Sequence, residues 1–316
     1  PSGQTSPNHN SGKPWKTSPI ANDALEAPDS MLQRLKTALP LLAVFLLAFF
    51  LPGTGGIVFF ILFALLMLAT ACHEAFTLIN VANGNLLKWF AILAGTAMTL
   101  TAACMQDPLD VTAANTAITA LFILAAFGIA FARGPSIQAV HGLLVGLGVF
   151  LYLCWPLTFM PRIFFMGSDG NGRFLLFYII AITKIADTGA YLVGTATARL
   201  RSGNHKLSPL LSPKKSWEGL LGGTLFSMLA SLAFYLLVPD KLVLDGQPVI
   251  NLPIALIIGA AVSIIGLAGD LAESALKRAA NAKDSGHLPG IGGVLDTLDS
   301  LIPIAPFFFA FLTFMA

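Results

Sequence analysis

Residues 270–299 carry a dense set of charges for so apolar a chain: Asp270, Glu273, Asp284, Asp296 and Asp299, with Lys277, Arg278 and Lys283. Ionisable groups beside lipid are expensive unless they face a cavity, a partner or a ligand. Asp270 and Glu273 stand at i and i+3, and so do Asp296 and Asp299, while Pro289, Gly290, Gly292 and Gly293 bend the chain between the pairs. Carboxylates delivered in this way from two segments suit one or two hard cations, with phosphate oxygens completing the shell. The chemistry implied is metal-dependent handling of phosphate at a bilayer surface. A solvated, salt-bridged loop is the plainer alternative, and against it stands the position of the acids at the edges of apolar segments.

Two other stretches carry polar groups where lipid-compatible sequence surrounds them. In FYIIAITKIADTGAYLVG, Lys184 and Asp187 stand at i and i+3, which puts them on one helix face. They read either as a neutralised structural pair or as groups lining a cavity, with Asp187 a metal or positioning carboxylate and Lys184 tuning its charge or touching a phosphate. Gly189 and Gly194 suit the close approach of a neighbouring helix. In RLRSGNHKLSPLLSPKKSWEGLLGG, Pro213 predicts a turn with a helix starting just behind it. Ser212, Lys214, Lys215 and Ser216 offer hydroxyls and positive charge for a triphosphate, and Glu218 falls in the first helical turn, where an acid is favourable. The pattern is not a P-loop, and basic residues in a cytoplasmic loop are common without a ligand. The adjacent His73 and Glu74 have no HExxH spacing and read as a helix terminus at the interface, or as the wall of a polar cavity.

The frame that must position these groups is a membrane bundle. The 316 residues are 56% hydrophobic and only 11% charged, against about 25% charged in soluble domains. Apolar runs of the roughly 20 residues that cross a hydrocarbon core recur throughout. They predict an all-α, polytopic fold of about nine transmembrane helices near 37–52, 56–73, 87–105, 112–131, 138–160, 173–197, 217–239, 252–270 and 300–316. Residues 1–35, rich in Pro, Ser, Asn and Gly, read as a disordered cytoplasmic tail ending in an interfacial piece at Met31–Lys36; residues 36–172 form the N-terminal transmembrane helices, and 173–316 the catalytic region. Most of the 18 Lys and Arg residues then fall on the side of that tail, so the positive-inside rule puts loops 198–216 and 271–299 in the cytoplasm. Cys72, Cys104 and Cys154 lie in or at the ends of apolar segments and read as small fillers, not as a disulfide framework or zinc site.

Several of these stretches carry a resemblance. Ser274-Ala-Leu-Lys277-Arg278, then Lys283-Asp284, Pro289-Gly290, Gly292-Gly293 and Leu295-Asp296 to Asp299-Ser300 resemble the signature of the phosphatidate cytidylyltransferase (CDP-diacylglycerol synthase) family. SPKKSWEG and ADTGAY resemble two further motifs of that family, in the same order. The resemblance covers residues 180–300 by motif and the first five helices by hydropathy alone. It implies a polytopic, commonly homodimeric enzyme of the cell inner membrane that makes CDP-diacylglycerol and pyrophosphate from CTP and phosphatidate. One or two divalent ions such as Mg2+ are implied, with room for a monovalent ion besides. The chain departs from the pattern at Ile291, where the family usually has His, and at Thr297, where it usually has Arg; the segment from Ser285 to Leu288 is one residue short.

On this resemblance Asp270 and Asp296 are expected as metal ligands, with Asp187 and Asp299 as further ligands or supporting acids. Lys214 and Lys215 are expected on the CTP phosphates. Lys277, Arg278 and Lys283 would hold the leaving pyrophosphate or the lipid phosphate, and Asp284 would orient one of those bases. A phosphate nucleophile is already anionic near neutral pH, so the demand is for positioning and charge neutralisation more than for a strong base. Three rivals stand beside this reading: a related transferase acting on a polyprenol or other lipid phosphate, a transporter built on Lys184/Asp187, and a non-catalytic scaffold. Transporters often carry inverted repeats, and none is evident here. Basic residues are few and lack an aromatic stacking surface, which argues against nucleic acid as a partner.

Overall fold

The computed structural model describes residues 31–79, 84–105, 107–132, 134–200, 203–286 and 292–315. The expected tail over residues 1–30, and Pro289, Gly290 and Ile291 of the signature, lie outside them.

Nine long helices make up the described chain, joined by short connections. They are α1 (Met31–Phe50), α2 (Gly53–Ile79), α3 (Gly84–Cys104), α4 (Pro108–Ala132) and α5 (Ile137–Phe164). Then come α6 (Gly172–Ala198), α7 (Trp217–Leu237), α8 (Leu252–Ala279) and α9 (Val294–Met315). Among the described residues, eight are long and apolar enough to cross a membrane, from α2 onward. The protein is a polytopic helical membrane protein, as its hydropathy predicts.

Helix ends correct the sequence reading in three places. α1 begins at Met31, so the piece expected at the interface is its first turns. α2 continues to Ile79, which puts His73 and Glu74 within a helix and not at its end. The largest correction is at α8, expected to stop near residue 270 but helical to Ala279. Lys277 and Arg278 occupy its last turn, where cations oppose the helix dipole. The stop is a Schellman motif: Asn281 takes φ +55°, its N–H donates to Arg278 O at 3.1 Å, and Ala282 N–H donates to Lys277 O at 2.8 Å. The expected loop 271–299 is therefore mostly helix at both ends, because α9 starts at Val294 and only turns at Asp299–Ser300 before resuming at Leu301.

α5 is interrupted by a π-helical turn at Phe150–Cys154. Pro156 causes it: the ring has no N–H and would clash with the carbonyl four residues back, that of Tyr152. The ladder widens instead, and Trp155 N–H bonds to Phe150 O.

Packing is closest among α6, α7 and α8. A Cβ at Gly189 would lie 2.6 Å from the ring of Phe226, so glycine sets the α6–α7 approach there. In the lipid-excluded interior Tyr178 of α6 and Ser231 of α7 share a 2.7 Å hydrogen bond, and Ser231 Oγ donates to Ala255 O of α8 at 2.6 Å. Phenylalanines join the first helices to α5 and α6, with Phe60 stacked on Phe164 at 3.6 Å between centroids. Cys72 and Cys154 are buried with Sγ atoms 3.7 Å apart, and Cys104 is exposed; all three are free.

Two small antiparallel ribbons complete the fold. β1 (Lys206–Ser208) pairs with β2 (Ser212–Ser216) between α6 and α7, in what was expected to be a loop. β3 (Val243–Leu244) pairs with β4 (Gln247–Pro248) through Asp245-Gly246, both at positive φ, as a two-residue primed turn requires. Asp245 Oδ1 accepts from Ser168 N–H at 2.6 Å and Ser168 Oγ at 2.7 Å, tying this ribbon to the α5–α6 connection. These bonds hold the Asp245 carboxyl below its ordinary value. A carboxylate depressed in the fold stabilises it above the ordinary carboxylate range and loses that contribution as pH falls through its folded pKa. Wild-type protein should therefore lose more melting temperature on acidification than Asp245→Asn, and equal losses would refute the clamp.

Candidate active site

Three acids from two helices meet where α8 and α9 pack together. Asp270 and Glu273 lie on α8 and Asp299 at the turn within α9, with a carboxylate oxygen of each within 4.8 Å of the others. Glycine makes this approach possible: a Cβ at Gly269 would sit 2.8 Å from Pro303 Cγ of α9. Glu273 is fully buried and Asp299 is only 7% exposed. Asp299 Oδ1 accepts from its neighbour Ser300 N–H at 2.5 Å and Ser300 Oγ at 3.1 Å. Neither oxygen of Glu273 has a well-aligned hydrogen bond among the described residues, although Lys277 Nζ approaches Oε2 to 2.7 Å. Two buried carboxylates and a half-buried one, with acceptor capacity to spare, are a donor set that fits a hard divalent cation.

Ammonium groups surround these acids. Lys215 Nζ lies 2.5 Å from Asp270 Oδ2, joining β2 to α8. Lys184 Nζ donates to Thr297 O at 2.9 Å and lies 3.5 Å from Asp187 Oδ2. That pair keeps substantial exposure, with the two side chains 41% and 45% exposed. Lys277 bridges Glu273 and Asp296, one ammonium holding a carboxylate of each helix.

Asp296 thus occupies a different place from the one expected of a metal ligand. It sits at the third position of α9, where its Oδ2 accepts from Gly293 N–H at 2.7 Å, Ser285 N–H at 2.9 Å and Ser285 Oγ at 2.8 Å. Its oxygens are taken up in capping α9 and pairing Lys277, so it is outside the group formed by Asp270, Glu273 and Asp299. Gly293, the N-cap residue, has no side chain to accept from the first helical N–H groups. Glu74 of α2 supplies that acceptor: Oε1 takes Val294 N–H at 3.1 Å, and Oε2 takes Leu295 N–H at 2.9 Å and lies 3.1 Å from Ser285 Oγ. An acid from the N-terminal half therefore caps the helix that delivers Asp299.

The hairpin places its candidates unequally. Lys214 is exposed on β2, while Ser216 is buried and caps α7 by accepting from Gly219 N–H at 3.1 Å. Ser212 pairs with Ser208 across the ribbon. Glu218 accepts from the backbone N–H of His205 at 3.1 Å and meets its Nδ1 at 2.6 Å, fastening the start of β1 to the first turn of α7. Arg278, Lys283 and Asp284 are exposed beyond the acids, with Arg278 Nη1 3.4 Å from Ala282 O. Thr297 Oγ1 donates to Gly293 O at 3.1 Å, and Ile291 is outside the described residues.

A cytidylyltransferase family model matches residues 32–315. The chain belongs to the cytidylyltransferase family. It is similar to the phosphatidate cytidylyltransferase of Haemophilus influenzae, 40% identical over 146 residues, 46% of this chain and 48% of that protein. It is equally similar to the uncharacterized protein YnbB of Escherichia coli, 40% over 146 residues, 46% of this chain and 44% of that one. The phosphatidate cytidylyltransferase of Staphylococcus aureus is 38% identical over 144 residues, 45% of this chain and 50% of that enzyme. The aligned part thus spans about half the length of these relatives. For a cytidylyltransferase-family chain, the arrangement offers what transfer of a nucleotidyl group needs: clustered acids for a cation and several ammonium groups for phosphate charge.

Two residues of this site had unequal signals in the sequence. Glu273 stands at helical spacing from Asp270, and only the expected helix end hid its partnership with Asp299. Glu74 reaches residues more than two hundred positions away, and nothing in its own neighbourhood announces that.

Proposed function

We propose that the protein transfers the cytidylyl group of CTP to phosphatidate, giving CDP-diacylglycerol and pyrophosphate. The observation that carries this is the meeting of Asp270, Glu273 and Asp299 among Lys184, Lys215 and Lys277 inside the bundle of a cytidylyltransferase-family chain. In the reaction an oxygen of the phosphatidate phosphate bonds to the α-phosphorus of CTP. The bond from that phosphorus to the oxygen bridging to the β-phosphate breaks, and its electron pair leaves with pyrophosphate. No proton needs to move for this exchange.

Asp270, Glu273 and Asp299 would hold Mg2+, which when bound supplies electrostatic polarisation of the phosphates. Lys215 sits on a hairpin strand and shares its charge with Asp270, so it can turn toward the triphosphate without leaving the site. Lys214 on the same strand meets its outer end. Lys184 and Asp187 form an exposed pair on α6, tied to α9 through Thr297 O. Lys277 keeps Glu273 and the α9 cap in register, and the exposed Arg278 and Lys283 suit the departing pyrophosphate. Catalysis then resides in 173–316, helped by Glu74 from the N-terminal helices. The reading places the protein in the inner membrane with the hairpin and the α8–α9 connection in the cytoplasm, where CTP is found, and as a homodimer among membrane lipids.

The test is cytidylyl transfer by purified protein in lipid micelles, with labelled CTP and phosphatidate, with and without magnesium. Magnesium-dependent CDP-diacylglycerol is the expected product. Absence of product from protein that retains its helical signal and melting transition would overturn the assignment, and turnover with a polyprenol phosphate alone would replace the acceptor.

A further inference from the structure

Beside the acids, among the described residues, lies an apolar cavity of about 590 Å³ between α5 and α8. That volume falls in the range of roughly 300–1,000 Å³ typical of small-molecule sites. Its two main walls are matching helical stripes: Val145, Gly148, Val149 and Tyr152 on α5, and Ala272, Ala275, Leu276 and Ala279 on α8. Each stripe follows i, i+3, i+4, i+7 spacing, the pattern by which helices normally close on each other. Here small residues on both sides leave the space open.

Tyr152 is the one polar side chain in this lining. Its ring lines the apolar space, while its hydroxyl is enclosed and has no hydrogen-bond partner among the described residues. On the facing wall Ala272 directly precedes Glu273 in α8, so the acid group adjoins this space. An enclosed hydroxyl without a partner is rare in folded proteins and marks a place where a ligand or water completes the bonding. The π turn forced by Pro156 is what presents Tyr152 here, and such turns recur at functional sites. On α5, residues adjoining the stripe (Val140, Leu144 and Leu151) are exposed apolar side chains of the outer, lipid-facing surface.

We propose that the α5–α8 cavity is the lipid-side subsite, taking an acyl chain of a diacyl lipid phosphate, with the Tyr152 hydroxyl hydrogen-bonding the head group beside the acids. The nucleotide then enters from the hairpin side, where Lys214 and Lys215 stand, and the two substrates meet across Asp270. The wall chemistry commits the cavity to hydrocarbon: a cytosine base or a triphosphate would leave its polar edges unpaired against alanine, valine and leucine. The inference rests on the lipid-phosphate reading given above, and binding can be measured separately from turnover.

Two variants and one labelling experiment test it. Tyr152→Phe keeps the ring and removes the hydroxyl; it should raise KM for phosphatidate about five- to tenfold while leaving KM for CTP within about twofold. Gly148→Leu fills the cavity without a clash at its Cβ, which meets no atom within 4 Å. It should lower kcat/KM for dipalmitoyl phosphatidate about tenfold more than for the dihexanoyl form. A phosphatidate with a diazirine on its acyl chain, photolysed with the wild-type protein in micelles, should label peptides of α5 and α8, and Gly148→Leu should abolish that labelling. Labelling on α5 and α8 without any cytidylyl transfer would sink the reaction and keep the subsite. Transfer with labelling elsewhere, equal losses on both chain lengths, or a Tyr152→Phe effect on CTP instead of lipid would each overturn the subsite.

Discussion

Asp299→Asn is expected to lower kcat about 10²–10³-fold while leaving the melting temperature unchanged or slightly raised. Asparagine fills the same volume and can still accept from Ser300 N–H, so the turn within α9 persists. What it loses is one negative charge from a group that also holds the buried Glu273 and the half-buried Asp270. Crowded like charges destabilise a fold at rest, and the charge is useful only when a cation is bound. A loss of activity joined to an undiminished melting point is therefore the signature of a ligand. The half-saturating magnesium concentration should rise in parallel. Activity within tenfold of wild type would show that the three acids are not the metal site, and attention would then pass to Asp296 and Asp187.

The second large effect is expected at Glu74, far from the other site residues in sequence. Glu74→Ala leaves the N–H groups of Val294 and Leu295 without their acceptor at the start of α9. Unpaired donors in a water-poor interior cost on the order of 3 kcal/mol together, by the usual penalty for buried groups. The melting temperature should fall, and activity should fall with it because α9 carries Asp299. Glu74→Gln separates the two effects: it keeps one good acceptor and discards the charge that favours a helix N-terminus. It should recover most of the lost stability yet still need more magnesium for half-maximal activity than wild type. If Glu74→Gln matched wild type in magnesium dependence, Glu74 would be a structural cap with no part in positioning the acids.

The helical frame was legible because lipid demands apolar runs, and hydropathy finds those directly. The ends were less legible, for a reason visible at α8. Hydropathy drops sharply after Asp270, and a charged stretch following an apolar helix reads as a loop. In the fold those charges are helical because they satisfy one another, Glu273 with Lys277 one turn on, and Lys277 with Asp296 of α9. Asn281 and its left-handed backbone mark the true stop. The site was partly legible in the same way. Asp270 and Asp299 could be picked out by spacing at the lipid boundary, and Lys215 by its place before a helix start. Asp296 has the same spacing as Asp299 and a different use, since pairing and capping depend on what lies opposite, which spacing does not record. Tyr152 and Glu74 needed the packed bundle, the first because its meaning comes from an adjacent void, the second because its partners are in another half of the chain.

The mutual pairing of the site's charges has one more consequence, seen by weighing its electrical balance. Leaving aside Glu74, whose charge lies against the α9 N-terminus, and taken as ionised, Asp187, Asp270, Glu273, Asp296 and Asp299 set five negative charges against three positive ones on Lys184, Lys215 and Lys277. The surplus of two is what a single divalent cation neutralises, and in a medium of low polarity an uncompensated surplus is costly. A bare triphosphate meets repulsion from such a site, and a cation alone meets an open invitation. For a site that takes both, each ligand raises the affinity for the other by the same factor. Nucleotide and metal then behave as one joint ligand, each drawing the other into the site.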